Sequence, residues 1–229
     1  MLGDKLKNKM KLFGHPRDPG TAKALMMAAE KGVDIESHVV STDNTEGLPP
    51  EFREISPLGS FPCSKDLEFV VCGTLGVLSF LDDKGFGPLV VPRNGVVRAA
   101  QYHWVHLANE YVDPQIKDLM SGGESGGNAA AALGPMFDML EQQLKSSSKR
   151  GEFLIGPFSL ADIHWGVYAH YCHLAGKPEI VESRPEVKKW WESVKQHPST
   201  SKEPIVGYDV LPTSDDVSNG QLRSIAINT

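Results

Sequence analysis

Several reactive side-chain types crowd one short segment: the guanidinium of Arg17, the carboxylate of Asp18, the hydroxyl of Thr21 and the ammonium of Lys23. A helix starts there, because Asp is a favoured N-cap and Pro19 has its φ preset for a first turn. Either cation can meet a carboxylate or lie solvated at the surface, and solvation is its commoner fate. The second reactive group is sulfur. Cys63, Cys72 and Cys172 make no Cys-x-x-Cys pair, cannot all be bridged within the chain and match no zinc-ligand spacing. Three reduced thiols of a cytosolic protein are therefore expected, and no metal site. A reactive Cys63 is the sharper alternative, because it follows Pro62 in the stretch Ser56-Pro57-Leu58-Gly59-Ser60-Phe61-Pro62. His103 and His106 lie in a helical run and read as surface or groove histidines rather than bases.

The elements that must position these groups follow from periodicity. Lys11 to Gly14 is a short β-type run. Ala22, Leu25, Met26 and Ala29 then recur at helical spacing until Gly32. Ile35 to Val40 reads as a second strand, which makes a βαβ beginning with a parallel pair. Glu68 to Cys72 is a further strand and Thr74 to Leu81 a helix. Breaks at Lys84-Gly85-Phe86-Gly87-Pro88 and Pro92-Arg93-Asn94-Gly95 mark a domain boundary.

Beyond it the chain reads as all-helical. A long helix runs from Val96 to about Met120, with Trp104, Val105, Leu107 and Ala108 as core and Pro114 bending or interrupting it. Ser121 to Asn128, rich in glycine, is expected to be a loop, and Ala129 to Leu144 a helix. Ser159-Leu160-Ala161-Asp162 resembles a capping box, and Ser183-Arg184-Pro185-Glu186 a second one. Behind the second, Val187, Trp190, Trp191 and Val194 recur as core. Residues 212–229 read as a mobile tail.

Composition narrows the functional classes. A net charge of −6 gives no support for nucleic-acid binding. The longest apolar runs fall far short of the roughly 20 residues a membrane span needs. The N-terminus is basic but lacks an apolar stretch before a cleavage-like site, so it is not a secretory signal, and Met10 could be an older start. There is no internal repeat.

A mixed α/β unit followed by an all-helical one, with KLFGHP, SPLGSFP, FLIG then SLADIH, and SRPEVKKWWESVKQHPS in this order, resembles the cytosolic glutathione transferases, in particular the phi-like and bacterial branch. The resemblance covers roughly residues 10–202. It implies a thioredoxin-like glutathione-binding domain over 10–84, an all-helical electrophile-binding domain over 94–205 and a C-terminal tail over 206–229. It also implies a cytoplasmic homodimer that detoxifies small hydrophobic electrophiles such as epoxides, halides or activated aryl ethers, with glutathione as co-substrate. Phe61 would offer its backbone to the peptide's cysteinyl unit ahead of a cis Pro62. Arg17, Gly73 and Thr74 complete the expected glutathione contacts. Pro19, Ile116, Leu119 and Met120 would line the electrophile pocket, although the last three can equally be core.

The chemistry this implies is simple. A free thiol ionises near about 8.5, and a helix N-terminus with a hydroxyl donor stabilises the thiolate nucleophile. Here the sequence departs from the family pattern. The position of the catalytic serine holds Asp18. The usual His-Lys pair corresponds to Gly47 and Leu48, and the Glu-Ser pair to Gly73-Thr74. An ionised carboxylate ~4 Å from a thiolate costs about 4 kcal/mol at an effective dielectric of about 20. A helix terminus returns only ~0.3–1 kcal/mol, or about 2 when partly buried. Asp18 is then a plain N-cap turned to the N–H of Gly20 or Thr21, or a general base, or the mark of a site that no longer activates the thiol. In the first case Thr21 is the surviving catalytic hydroxyl, unless it merely packs the first turn. A protein of this fold that binds without catalysing is the alternative from another class. Glutathione-dependent disulfide reduction would need a cysteine at the first helix, where there is none.

Overall fold

The strand β1 (Met10–Gly14) buries every second residue, and the computed structural model sets it in the middle of a four-stranded sheet. The structure describes residues 9–40, 48, 50–147, 151–200 and 211–219. Helix α1 (Pro19–Lys31) leads to β2 (Ile35–Val39), which pairs parallel to β1 with Leu12 opposite Ser37. Helix α2 (Pro50–Ile55) is followed by β3 (Cys63–Asp66), β4 (Phe69–Cys72) and α3 (Thr74–Lys84). The sheet order is β2-β1-β3-β4, with β3 antiparallel to both its neighbours. The βαβ opening and the strand before residue 73 are as the hydrophobic pattern predicts.

Helix α1 packs against α3. Phe13 belongs to a different cluster, formed by Val40, Phe52 and Cys63 with Ile55, Phe61 and Cys72 around it, so α2 covers the β1 face opposite to Leu12. Gly32 ends α1 in the left-handed region at φ 63°, which the αL cap requires. Lys31 then anchors the end of this unit: its ammonium meets Asp82 at 3.0 Å and the carbonyls of Gly87 and Pro88 at 3.2 and 2.9 Å. Lys23, expected at the surface, is instead 1% exposed.

Chain contacts divide the molecule into residues 1–88 with 201–229, and residues 89–200. The second unit contains α4 (Gly95–Leu107), a π-helical turn (Ala108–Val112), α5 (Asp113–Ser121), α6 (Gly123–Ser147), α7 (Leu160–Leu174), α8 (Glu179–Glu182) and α9 (Pro185–Gln196). The π turn sits immediately before Asp113-Pro114, where proline's missing N–H breaks the regular ladder.

Three expectations are corrected here. The glycine-rich run is not a loop: only Gly122 and Gly123 have positive φ, and α6 already starts at Gly123. Glycine serves close approach there, since a Cβ on Gly126 would lie 3.3 Å from the Leu119 carbonyl oxygen of α5. The second capping box does not form. Ser183 Oγ instead donates back to the Glu179 carbonyl at 2.6 Å, and Glu141 of α6 caps α9 by accepting from the N–H groups of Glu186 and Val187, both at 2.9 Å. Within the expected tail, residues 214–219 form a helix, α10 (Ser214–Asn219), and Leu211 before it is buried; residues 220–229 lie outside the described ones.

The first capping box is present at α7, and its acid reaches further than expected. The buried Asp162 accepts from Leu154 N–H at 2.9 Å, Ser159 N–H at 3.0 Å, Ser159 Oγ at 2.8 Å and Trp190 Nε1 at 2.9 Å. Burial pushes its pKa up to about 6 even though these donors pull it down. Asp162 thus joins α7, the turn before it and α9. Trp190 and Trp191 are core, as their spacing predicts.

Candidate functional site

The start of α1 is organised around one carboxylate. Asp18 is the N-cap in extended conformation, and its Oδ2 accepts from Thr21 N–H at 2.7 Å. The same oxygen accepts from the Thr21 hydroxyl at 2.8 Å. Thr21 Oγ1 in turn accepts from His15 N–H at 3.2 Å. A hydroxyl has one hydrogen, and here Asp18 takes it. Thr21 is also 0% exposed. In this arrangement the hydroxyl expected to activate the thiol donates to Asp18. Its role is to hold Asp18. Asp18 itself takes the N-cap geometry among the three readings open from sequence. Arg17 is exposed, with its N–H donating to His15 Nδ1 at 3.1 Å.

The other expected contacts gather beside this turn. The Phe61-Pro62 bond is cis, Phe61 is half-buried and Pro62 buried. Gly73 N–H donates to the Pro62 carbonyl at 2.8 Å, which ties the start of α3 to the start of β3. Gly73 has φ 88°, a conformation that L side chains rarely adopt, so glycine at the expected Glu position is built into the backbone. Thr74 is half-buried. Gly20 closes the group: a Cβ there would lie 2.4 Å from Thr74 Oγ1, 2.9 Å from Pro62 Cδ and 3.1 Å from Asp18 Oδ2. Two helix N-termini, those of α1 and α3, thus meet at Pro62 across a residue without a side chain. The partial positive charge of the two termini meets the Asp18 carboxylate there.

Pro19 is buried, Ile116 is 0% and Leu119 5% exposed, and Met120 is half-buried. Ile116 and Leu119 are core of the helical unit, the alternative their pattern left open. His103 and His106 are exposed. Leu48, at the expected Lys position, packs on the Phe52–Cys63 cluster, and Gly47 lies outside the described residues. No group of three or more metal-ligating side chains occurs among the described residues. An apolar cavity of about 300 Å³ lies beside the π turn, lined by Leu107, Tyr111, Met136, Met139 and Trp165 among others. Tyr111, Met136 and Met139 carried no periodic signal that singled them out.

The thiol expectation is also corrected. Cys63 and Cys72 are directly opposite on β3 and β4 and are joined by a disulfide, with Cα atoms 4.1 Å apart. Nine residues of separation looked uninformative until strand register placed the two side by side. Cys172 alone is a free thiol, and burial pushes its pKa up to about 12.

Comparison with known proteins places these features. Residues 127–202 match a family model for the glutathione S-transferase C-terminal domain. Glutathione S-transferase 3 of Zea mays is 25% identical, the alignment covering 84% of this chain and 92% of that protein. Glutathione S-transferase F13 of Arabidopsis thaliana is 25% identical over 90% of this chain and 99% of its own length. Among solved structures, glutathione S-transferase III in apo form aligns with a TM-score of 0.72 and 25% identity, covering 83% of this chain and 93% of that one.

Proposed function

We propose that this chain is a member of the cytosolic glutathione transferase family, of its phi-like branch, and that it binds glutathione and adds the peptide's thiolate to small hydrophobic electrophiles. One observation carries the reading. Gly20 brings the N-terminus of α1 against Thr74 and Pro62, so that two helix N-termini face one small space. The Gly20 N–H and the Thr74 hydroxyl are the donors suited to a thiolate there. Asp18 tolerates that charge because Thr21 occupies its Oδ2 with two hydrogens. The Phe61 backbone serves the cysteinyl unit of glutathione, and the start of α3 takes an anionic end. Arg17 is a solvated cation able to approach the other carboxylate. Once the thiolate forms, attack on an epoxide, halide or activated aryl ether breaks the strained or leaving bond, and the chain's task is orientation and charge stabilisation. Homodimerisation and a cytoplasmic, detoxifying role belong to the same proposal. No helix among the described residues is long and apolar enough to cross a membrane.

A second reading, binding without catalysis, is favoured by two specific features. Gly73 at φ 88° leaves no side chain to hold the γ-glutamyl group, and Asp18 brings a negative charge. Calorimetric titration with glutathione, followed by turnover of a chloronitrobenzene, separates the two. Binding with turnover supports the enzyme, binding alone supports the second reading, and absence of binding sinks both.

A further inference from the structure

Cys63 and Cys72 have a setting that serves them both bonded and unbonded. They face each other at a position flanked by the Gly73 N–H to Pro62 carbonyl hydrogen bond. The antiparallel alternation therefore makes theirs a non-hydrogen-bonded pair, where side chains approach most closely. Each sulfur also has its own backbone acceptor. Cys63 Sγ lies 3.3 Å from the Ser60 carbonyl oxygen, and Cys72 Sγ lies 3.2 Å from that of Ile55 at the end of α2. In the disulfide neither sulfur carries a hydrogen. In the dithiol each S–H has an acceptor already in place. A purely structural disulfide has no need of such acceptors.

The two sulfurs differ in access. Cys63 is 0% exposed within the Phe52 cluster, whereas Cys72 is half-buried on β4, which is the last strand in the sheet. Cys72 is therefore the more exposed of the two residues. The third thiol does not compete, since Cys172 is buried and resists ionisation.

We propose that Cys63 and Cys72 form a reversible dithiol–disulfide couple that exchanges with glutathione, with Cys72 as the glutathionylated sulfur and Cys63 as the resolving one. The glutathione thiolate attacks Cys72 Sγ, the bond between the two protein sulfurs breaks, and Cys63 leaves as a thiolate that takes a proton from solvent. Cys72 then carries glutathione as a mixed disulfide. A second glutathione thiolate attacks the glutathione sulfur of that adduct, releasing Cys72 as a thiol and glutathione disulfide as product. Two glutathione molecules are oxidised and one protein disulfide is reduced, and the reverse steps oxidise the protein. Reduction adds one S–H bond from β3 to the loop before Pro62 and one from β4 to the end of α2. This chemistry does not depend on conjugation, because glutathione arrives from solution.

The test uses the full chain equilibrated in mixtures of reduced and oxidised glutathione, from wholly reduced to wholly oxidised. Samples are acid-quenched, unfolded, labelled with a maleimide and weighed intact. The oxidised chain takes one label, on Cys172, and the reduced chain three. The expected result is a graded passage from three labels to one within this range. A chain that stays at one label, or at three, throughout the series overturns the proposal. Cys63→Ser should accumulate one glutathione on Cys72 and Cys72→Ser none on Cys63; Cys63→Ala repeats the first arm should the serine disturb the core. The opposite assignment overturns the division of roles. No electrophile is present, so a chain that fails to turn over a chloronitrobenzene can still pass.

Discussion

Asp18 Oδ2 receives both hydrogens that Thr21 can give, the backbone N–H at 2.7 Å and the hydroxyl at 2.8 Å. One carboxylate oxygen is thereby bound to the first turn of α1, and the threonine is spent in holding it. Thr21→Val removes the hydroxyl with little change of shape, and with it the bonds to Asp18 Oδ2 and from His15 N–H. A loss of about 1–3 kcal/mol in folding free energy is expected, with Thr21→Ser close to wild type. Denaturant midpoints check this. A positioning role further predicts that Thr21→Ser restores kcat as well as stability.

Asp18→Ser removes the negative charge and supplies a hydroxyl at the same position. Conjugation of a chloronitrobenzene should be equal or faster than in wild type across about pH 5 to 9. A tenfold slower variant with its fold intact would show that the carboxylate takes a proton in the reaction, overturning its assignment as an N-cap alone.

Thr74 carries the complementary prediction. Its hydroxyl faces Gly20, and removing one donor from a developing anion costs about a hundredfold or somewhat less in kcat/KM. Thr74→Ala should show that loss and Thr74→Ser should not. Circular dichroism confirms the fold, and an unchanged kcat/KM would move the thiolate elsewhere.

The elements that were legible have local signatures, whereas α2, β3, α8 and α10 were not singled out. Asp18-Pro19 starts α1, Gly32 stops it, and Ser159 with Asp162 opens α7. What stayed hidden depends on partners distant in sequence. The α9 cap comes from Glu141, some 45 residues away, so the pattern Ser183-x-x-Glu186 pointed to the wrong acid. The Cys63–Cys72 pairing rests on strand register, which spacing does not encode. The glycines at the start of α6 looked like a loop because local propensity says nothing of α5 approaching Gly126. At the candidate site Thr21 is at the start of α1 as its sequence position predicts, yet the direction of its one hydrogen follows only from the Asp18 rotamer.

Asp162 provides a contrast in stability. Asp162→Ala strands four buried donors, on Leu154, Ser159 and Trp190, at about 1–3 kcal/mol each before relaxation. Ser159→Ala removes one hydroxyl and should cost about 1 kcal/mol. Thermal melts should therefore rank wild type above Ser159→Ala and that well above Asp162→Ala. Equal losses would mean that the acid serves the cap alone.

Stability against pH follows from two groups with opposite signs, the half-buried His197 and the buried Asp162. Burial lowers the pKa of His197 from 6.5 to about 4, and its ring stacks on Phe158 at 3.7 Å. Below 6.5 the unfolded chain binds a proton there that the folded chain refuses until about 4. The histidine's contribution is thus fully present above the upper value and is lost as pH falls through the window. Asp162 behaves in reverse. Burial raises its pKa from 3.8 to about 6, so within that interval the folded chain keeps a proton that the unfolded chain has released. Its contribution is present at the acid end and is lost as pH rises through about 6. In wild type the two slopes oppose each other, and the profile should be comparatively flat between these values. His197→Phe keeps an aromatic ring for Phe158 and removes the titration; its stability should fall as pH rises from about 4 to about 6. Asp162→Asn leaves the histidine and should gain stability with rising pH over the same span, from a lower base. Urea midpoints measured at intervals across the window decide it. A His197→Phe profile parallel to that of wild type would show that the imidazole is not held neutral by the fold.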